Sequence, residues 1–197
     1  GREPLPIHLR HGAQQRPVTA MCFGQGQPPP PASARAHPPT TTTAPDATWL
    51  VTASKDAVVL WHVEDAYAAA AEGCAPEPDA ILLEKQGAVD AVAMSPDGAG
   101  RVAVAAGAEV RVVATADCRC LFILEGHAAA VTAVAFSPHA AHTLVTAGED
   151  RTFKVWDLEA GTLVYQSSIL CAASLTAVSI DPEYPRAAIG AADGVVR

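Results

Sequence analysis

"GHAAAVTAVAFSPHAAHTLVTAGEDRTFKVWD", residues 126–157, holds two short apolar phrases, a Ser-Pro turn between them, an acidic turn around Asp150 and a closing Trp156-Asp157. The first phrase, "AVTAVAF" at 130–136, has counterparts in "PVTAMCF" at 17–23, "AVDAVAM" at 88–94 and "SLTAVSI" at 174–180. The copies at 88, 130 and 174 lie 42 and then 44 residues apart. An internal period of that kind outranks local propensity in naming an architecture.

Each phrase is followed by a second apolar run: "WLVTAS" at 49–54, "RVAVAAG" at 101–107, "TLVTAG" at 143–148 and "RAAIGAA" at 186–192. A third follows in turn, "VVLWHV", "EVRVVA" and "FKVWDL", with "VVR" at 195–197 as a stump. Short β-branched runs separated by Gly, Asp and Pro predict successive antiparallel hairpins. Alternation is poor, as "VTAVAF" shows, and a strand covered on both faces does not need it. With a period of about 40 to 45 residues this gives four-stranded propeller blades.

Two segments break the pattern. "GQPPPPASARAHPPTTTTAPD", residues 26–46, cannot bury a core and is expected to be a disordered, solvated insertion. "DAYAAAAEGCAPEPDA", residues 65–80, reads mainly as a long connection between strands of one blade, with at most a short helical turn in its alanines.

Composition narrows the function classes. The 197 residues are 50% hydrophobic, enough for one domain with a sizeable core. The longest apolar stretches, such as Val102 to Gly107 and Val131 to Phe136, fall far short of the roughly 20 residues that cross a bilayer, so no membrane role is expected. A formal net charge of −8 with 13 Lys and Arg supplies no basic stripe, which argues against nucleic acid. Five scattered cysteines and an opening "GREPLPIHLR" without a signal-peptide core suggest a reducing, intracellular setting, the cytoplasm first and the nucleus second. The Cys118-Arg119-Cys120 pair has one intervening residue where zinc sites use two to four, and His139 and His142 have no third ligand nearby. The cysteine pair is read as plain strand and the two histidines as solvated, and no metal is expected. "GAGRVAVAAG" at 98–107 has neither GxGxxG spacing nor a Lys-Ser/Thr ending, and no cofactor is expected.

Residues 126–157, with their Gly-His opening, Ser-Pro turn, Asp turn and closing Trp-Asp, resemble the WD-repeat family of β-propellers. The resemblance implies a hydrogen-bonded chain from the Trp156 indole to the Thr146 hydroxyl, the His127 ring and the Asp150 carboxylate. Thr, His and Asp are also the residue types of a nucleophile, base and orienter. In a blade, however, the hydroxyl is occupied by the indole, so Asp150 is read as structural and the chain as no enzyme.

The other copies keep the pattern unevenly. The first has Thr52, Asp56 and Trp61, but "HGAQQR" where Gly-His belongs, with His11 displaced and Gln14 nearer the histidine's register. The second lacks the Gly-His, the Asp and the Trp, with "GAEV" at its turn. The fourth keeps Asp193, with Ile189 in the hydroxyl's place and Arg197 in the tryptophan's.

The expected architecture is an all-β, WD40-type propeller forming a partial ring of about four blades, the last incomplete. Residues 1–197 are one domain: a blade at 10–64 carrying the insertion, a degenerate blade at 80–117, a complete one at 118–166 and a truncated one at 167–197. "PLPIHL" at 4–9 looks like the outer strand of a blade whose inner strands are missing, and an open arc leaves two apolar flanks that invite self-association.

The family resemblance implies a rigid scaffold for other proteins. Lys55, Glu125, Glu149 and Arg151 are candidates for the contact face, and the remaining blades of a longer parent are a further partner. The alternative is an adaptor of a ubiquitin ligase, which uses an Arg two residues after Trp-Asp; Glu159 at that position weakens it.

Overall fold

The structure is a computed structural model that describes residues 9, 17–25, 48–55, 57–84 and 87–197. The insertion at 26–46, "PLPIHL" up to its last residue, and His11, Gln14 and Asp56 fall outside these. The described chain forms four antiparallel sheets in sequence order. The first holds β1 (Ala20–Gln25), β2 (Thr48–Ala53), β3 (Ala57–His62) and β4 (Ala80–Glu84). The second holds β5 (Ala91–Met94), β6 (Arg101–Ala106), β7 (Glu109–Ala114) and β8 (Cys120–Glu125). The third holds β9 (Val131–Phe136), β10 (Thr143–Gly148), β11 (Phe153–Asp157) and β12 (Thr162–Gln166), and the fourth β13 (Leu175–Ile180) and β14 (Ala187–Ala191). Val196 adds a bridge to Gly190. The sheets form an open arc.

Sheet boundaries differ from the repeat boundaries read in the sequence. β4, at 80–84, pairs with β3 and completes the first sheet; β8, at 120–125, pairs with β7 and completes the second. The outer strand of each sheet lies immediately before the next recurring phrase, so a reading keyed to the phrase assigns it one sheet too late.

Residues 65–80 are also more regular than expected. Val63–Ala71 is a helix, α1, between β3 and β4 of one sheet. Alanine is the strongest helix former, and Glu64 and Asp65 in the first turn suit the positive end of the helix dipole. Gly73, with φ +76°, ends it: its N–H reaches the Ala70 carbonyl while that of Cys74 reaches Ala69, which satisfies two terminal carbonyls.

The sheets stack through unlike faces. Val92, Met94, Val102, Val104 and Val113 of the second sheet pack on Trp49, Val51, Ala53, Val58 and Leu60 of the first. Val134, Phe136, Leu144 and Trp156 of the third pack on Ala103, Ala105, Val110 and Val112 of the second. Val178, Ile189 and Ala191 of the fourth meet Ala133, Ala147 and Phe153 of the third. The second, third and fourth sheets therefore press bulky side chains on the sheet before them and meet small ones there, such as Ala53, Ala103 and Ala147, with Trp49 of the first sheet the large exception.

Polar bridges at the strand ends reinforce the stack. The Thr132 hydroxyl donates to the Leu175 carbonyl at 2.6 Å, and the Val131 N–H to Gly107 at 2.8 Å. Arg101, itself buried and paired with Asp97, donates to the Ala141 carbonyl and lies 3.3 Å from His142 Nδ1. His139 Nε2 lies 2.8 Å from the Asp181 carbonyl. His139 and His142, expected to be free in solvent, are exposed yet tie neighbouring sheets together.

Gly24 shows how close the first joint is. A Cβ there would come within 2.5 Å of Met94 Sδ and 2.7 Å of its Cβ. Gly24→Ala is expected to destabilise by about 1–3 kcal/mol, the usual cost of overpacking. Combined with Met94→Ala it should cost less than the sum of the two single changes, read from denaturant unfolding as a coupling energy.

Candidate functional site: a buried tryptophan-to-aspartate chain and the turn it holds

The third sheet brings Trp156, Thr146, His127 and Asp150 together. In the β9–β10–β11 register Thr146 sits opposite Lys154, and Leu144 opposite Trp156, so the indole reaches diagonally across to the hydroxyl. Trp156 Nε1 donates to Thr146 Oγ1 at 2.9 Å. Thr146 Oγ1 lies 2.7 Å from His127 Nε2, and His127 Nδ1 lies 2.8 Å from Asp150 Oδ2. An indole N–H can only donate, so the hydroxyl accepts from it and gives its own proton to Nε2. The remaining ring proton is then on Nδ1, facing the carboxylate, and His127 is neutral.

Asp150 closes the turn between β10 and β11 as well as the network. Its Oδ2 also accepts the Ala128 N–H at 3.1 Å, and its Oδ1 accepts the Thr152 N–H at 3.0 Å and hydroxyl at 2.8 Å. Burial alone would raise the pKa of this carboxyl, but the bonds from Thr152, Ala128 and His127 outweigh it and hold it below the ordinary carboxylate value. For His127 burial wins: it pushes the ring below the ordinary histidine value, against the pull of Asp150. A neutral imidazole and an ionised carboxylate are the matched pair for this geometry. The Thr146 hydroxyl is fully buried and engaged at both ends, which leaves no nucleophile to offer a substrate.

The other sheets carry less of the chain. In the first, Trp61 Nε1 donates to Thr52 Oγ1 at 2.8 Å; Asp56, the third member expected there, is outside the described residues. In the second, Val104 lies at the register of Thr146 and Val113 at that of Trp156, so apolar packing replaces the polar chain. In the fourth, Asp193 accepts the Val195 N–H at 3.0 Å and so keeps the turn. Ile189 stands at the threonine's register, but Arg197 is not at the tryptophan's: it exchanges both main-chain hydrogen bonds with Ile189, the place Lys154 holds opposite Thr146.

Lys154 carried no signal in the sequence. It is 1% exposed, beside the network, with its ammonium donating to Gln166. Lysines are almost never buried, so nothing short of the packing reveals it.

Comparisons with known proteins agree with this geometry. The family description "WD domain, G-beta repeat" matches residues 118–157, which hold all four members of the network. The solved WD40 beta propeller domain of Doa1 is similar over 76% of this chain and 45% of its own, with a TM-score of 0.60 and 21% identity. The fold is a WD40-type β-propeller. The computationally designed Ika4 protein is similar over 100% of this chain and 96% of its own, with a TM-score of 0.66 and 21% identity. Among curated proteins, "Mitochondrial division protein 1" of Malassezia globosa is 38% identical over 73 residues, 37% of this chain. The chain thus spans 10% of that protein's length.

The four residues expected on a contact face lie at one end of the propeller blades. Lys55 is in the β2–β3 turn, and Glu149 and Arg151 in the β10–β11 turn; Glu125 pairs with Glu109 beside the β6–β7 turn. Lys55, Glu125 and Glu149 are exposed and Arg151 is half-buried.

Asp150→Ala strands the His127 Nδ1–H and three further donors and should lower stability by about 1–3 kcal/mol. Asp193→Ala, with one local N–H to lose, should stay within about 0.5 kcal/mol; paired melting curves check both. The pKa directions also fix an acid response. The folded state resists the His127 proton that the unfolded chain accepts, so that stability is complete above about pH 6.5 and is lost as the pH falls below it. The Asp150 contribution is complete above about pH 3.9 and is lost as the pH falls through its lowered folded value. Melting temperature should fall between about pH 7 and 5, and His127→Gln should flatten that slope while lowering stability overall.

Proposed function

We propose that the chain is a non-catalytic scaffold for protein–protein contacts, in a WD-repeat protein similar to WD repeat-containing protein 27, which "LVTASKDAVVLWHV" at 50–63 and "TLVTAGEDRTFKVWD" at 143–157 resemble. WD40 domains as a class bind other proteins. The observation that carries the reading is the way the β10–β11 turn is fixed. Asp150 is tied through His127 to the buried Trp156, and its neighbour Arg151 holds φ +67°, a left-handed conformation rare for a residue with a Cβ. Glu149 and Arg151 are thereby presented in one arrangement, without the ordering cost a flexible loop would meet on binding. Lys55 and Glu125 extend the charged face to the two preceding blades. All five cysteines are free thiols, in keeping with a cytoplasmic scaffold.

The test is affinity capture from lysate with the native chain beside a Lys55→Ala, Glu149→Ala, Arg151→Gly variant. Glycine accepts the left-handed φ and removes the guanidinium, so melting should be little changed. Partners held by the native chain should be depleted at least about tenfold on the variant, the effect of 1.4 kcal/mol. Identical partner sets would move the contact face elsewhere, and a native bait that holds no protein would remove the scaffold reading.

A further inference from the structure

The polar chain of the third sheet runs in one direction, and every proton in it is committed. The Trp156 indole donates to Thr146 Oγ1 at 2.9 Å, that hydroxyl donates to His127 Nε2 at 2.7 Å, and His127 Nδ1 donates to Asp150 Oδ2 at 2.8 Å. A second ring proton has one place to go, Nε2, where it faces the hydroxyl that now donates to that nitrogen. Thr146 Oγ1 can accept from the indole and an imidazolium together, but its own proton then loses its acceptor, and Thr146 is fully buried. The chain is complete with a neutral ring and frustrated with a charged one.

The surroundings offer an imidazolium little compensation. The His127 side chain is buried against Gly148, where a Cβ would be 3.0 Å from Nδ1. The charged groups that act on the ring are Asp150 in the turn and Lys154 on β11, of opposite sign. β9 and the second sheet face this joint with Val131, Val134, Val110 and Leu124. Lys154 is itself buried with its ammonium on Gln166, so the joint already holds one cation, and a charged His127 would be a second. The parts that would move lie outside the strands: His127 in the connection between β8 and β9, and Asp150 in the β10–β11 turn. These segments are joined by the Glu149 N–H to the Ala130 carbonyl at 2.8 Å and by Asp150 through its bonds to His127 and Ala128. They can part without unzipping a strand ladder.

We propose that the β10–β11 turn is a proton-operated latch: uptake of one proton at His127 Nε2 parts the turn from the β8–β9 connection, and the fixed presentation of Glu149 and Arg151 is lost in acid. As a regulator of partner contacts the latch rests on the scaffold reading. Opening also frees Arg151 from its left-handed φ of +67°. The direction follows from burial, which resists the ring proton in the closed form. The latch is closed above the ordinary histidine value of about 6.5 and opens as the pH falls below it, while Asp150 stays ionised.

Native-state amide exchange, corrected for the intrinsic effect of pH, reads the latch without any partner. Between about pH 7 and about pH 5 the Ala128, Glu149 and Thr152 amides should lose protection by about threefold to about 25-fold, the upper figure being the ceiling for a histidine of ordinary value whose proton the closed form excludes. The Val112 and Val145 amides, inside the β7 and β10 ladders, should change by less than about twofold. His127→Gln, neutral at both pH values, should abolish the response. Lys154→Met keeps all four members of the chain and removes one buried cation, so it should lessen the response, and it carries the test if His127→Gln does not fold. Turn amides indifferent to pH would overturn the latch, as would equal losses in turn and ladder or an unchanged response in Lys154→Met. Proteins captured on the native chain at about pH 7 should elute at about pH 5 and stay on His127→Gln. Retention by the native chain with its turn open would overturn the regulatory role. A bait that holds no partner at about pH 7 removes the scaffold reading and that role together, whereas the latch itself stands or falls on the exchange.

Discussion

A β-sheet whose two faces are both apolar has to be covered twice, and that requirement shapes this molecule. The second and third sheets present valine, alanine and leucine on both sides, and no single sheet can fold by burying one of them. The joint that answers it is asymmetric, with large residues from the later sheet set against small ones such as Ala53, Ala103 and Ala147 of the earlier, Trp49 apart. The asymmetry lets adjacent backbones approach as closely as Gly24 approaches Met94.

Within that stack the polar chain of the third sheet has a specific task. His127 follows the outer strand of the second sheet and bonds to Thr146 and Asp150 of the third. The residues that match a WD repeat, 118–157, therefore straddle two sheets. One end of the repeat is paired by a strand ladder to the preceding sheet, and the network fixes how the following sheet sits against it. Where the network is replaced by Val104 and Val113, apolar side-chain packing stands in its place.

Much of this was legible in the chain. The phrases from "PVTAMCF" to "SLTAVSI" mark the first strand of every sheet, because a repeated pattern records a repeated environment. The positions of Trp156, Thr146, His127 and Asp150 could be matched one by one, since each polar type has a fixed offset along the repeat. The outer strands were harder to place: "AILLE" at 80–84 has nothing in its residues to say which neighbour it joins. The extent of α1 was hidden because an alanine run has no apolar periodicity to read. Arg197 was misplaced by counting along the chain where pairing across it decides. The bridges made by His139 and Arg101 depend on carbonyls more than 39 residues away, which no local pattern encodes.

The strand ladders run within the sheets, and between sheets they give way to side-chain packing with isolated contacts such as Val131 to Gly107. Amide protection should therefore be distributed by sheet. A terminal sheet can open as a unit without breaking the main-chain bonds of its neighbour, which makes sub-global opening cheaper at the ends than in the middle. β6 and β10 lie inside four-stranded sheets covered on both faces, and their amides should be among the slowest to exchange. Local stability should thus follow how many sides of each sheet are covered.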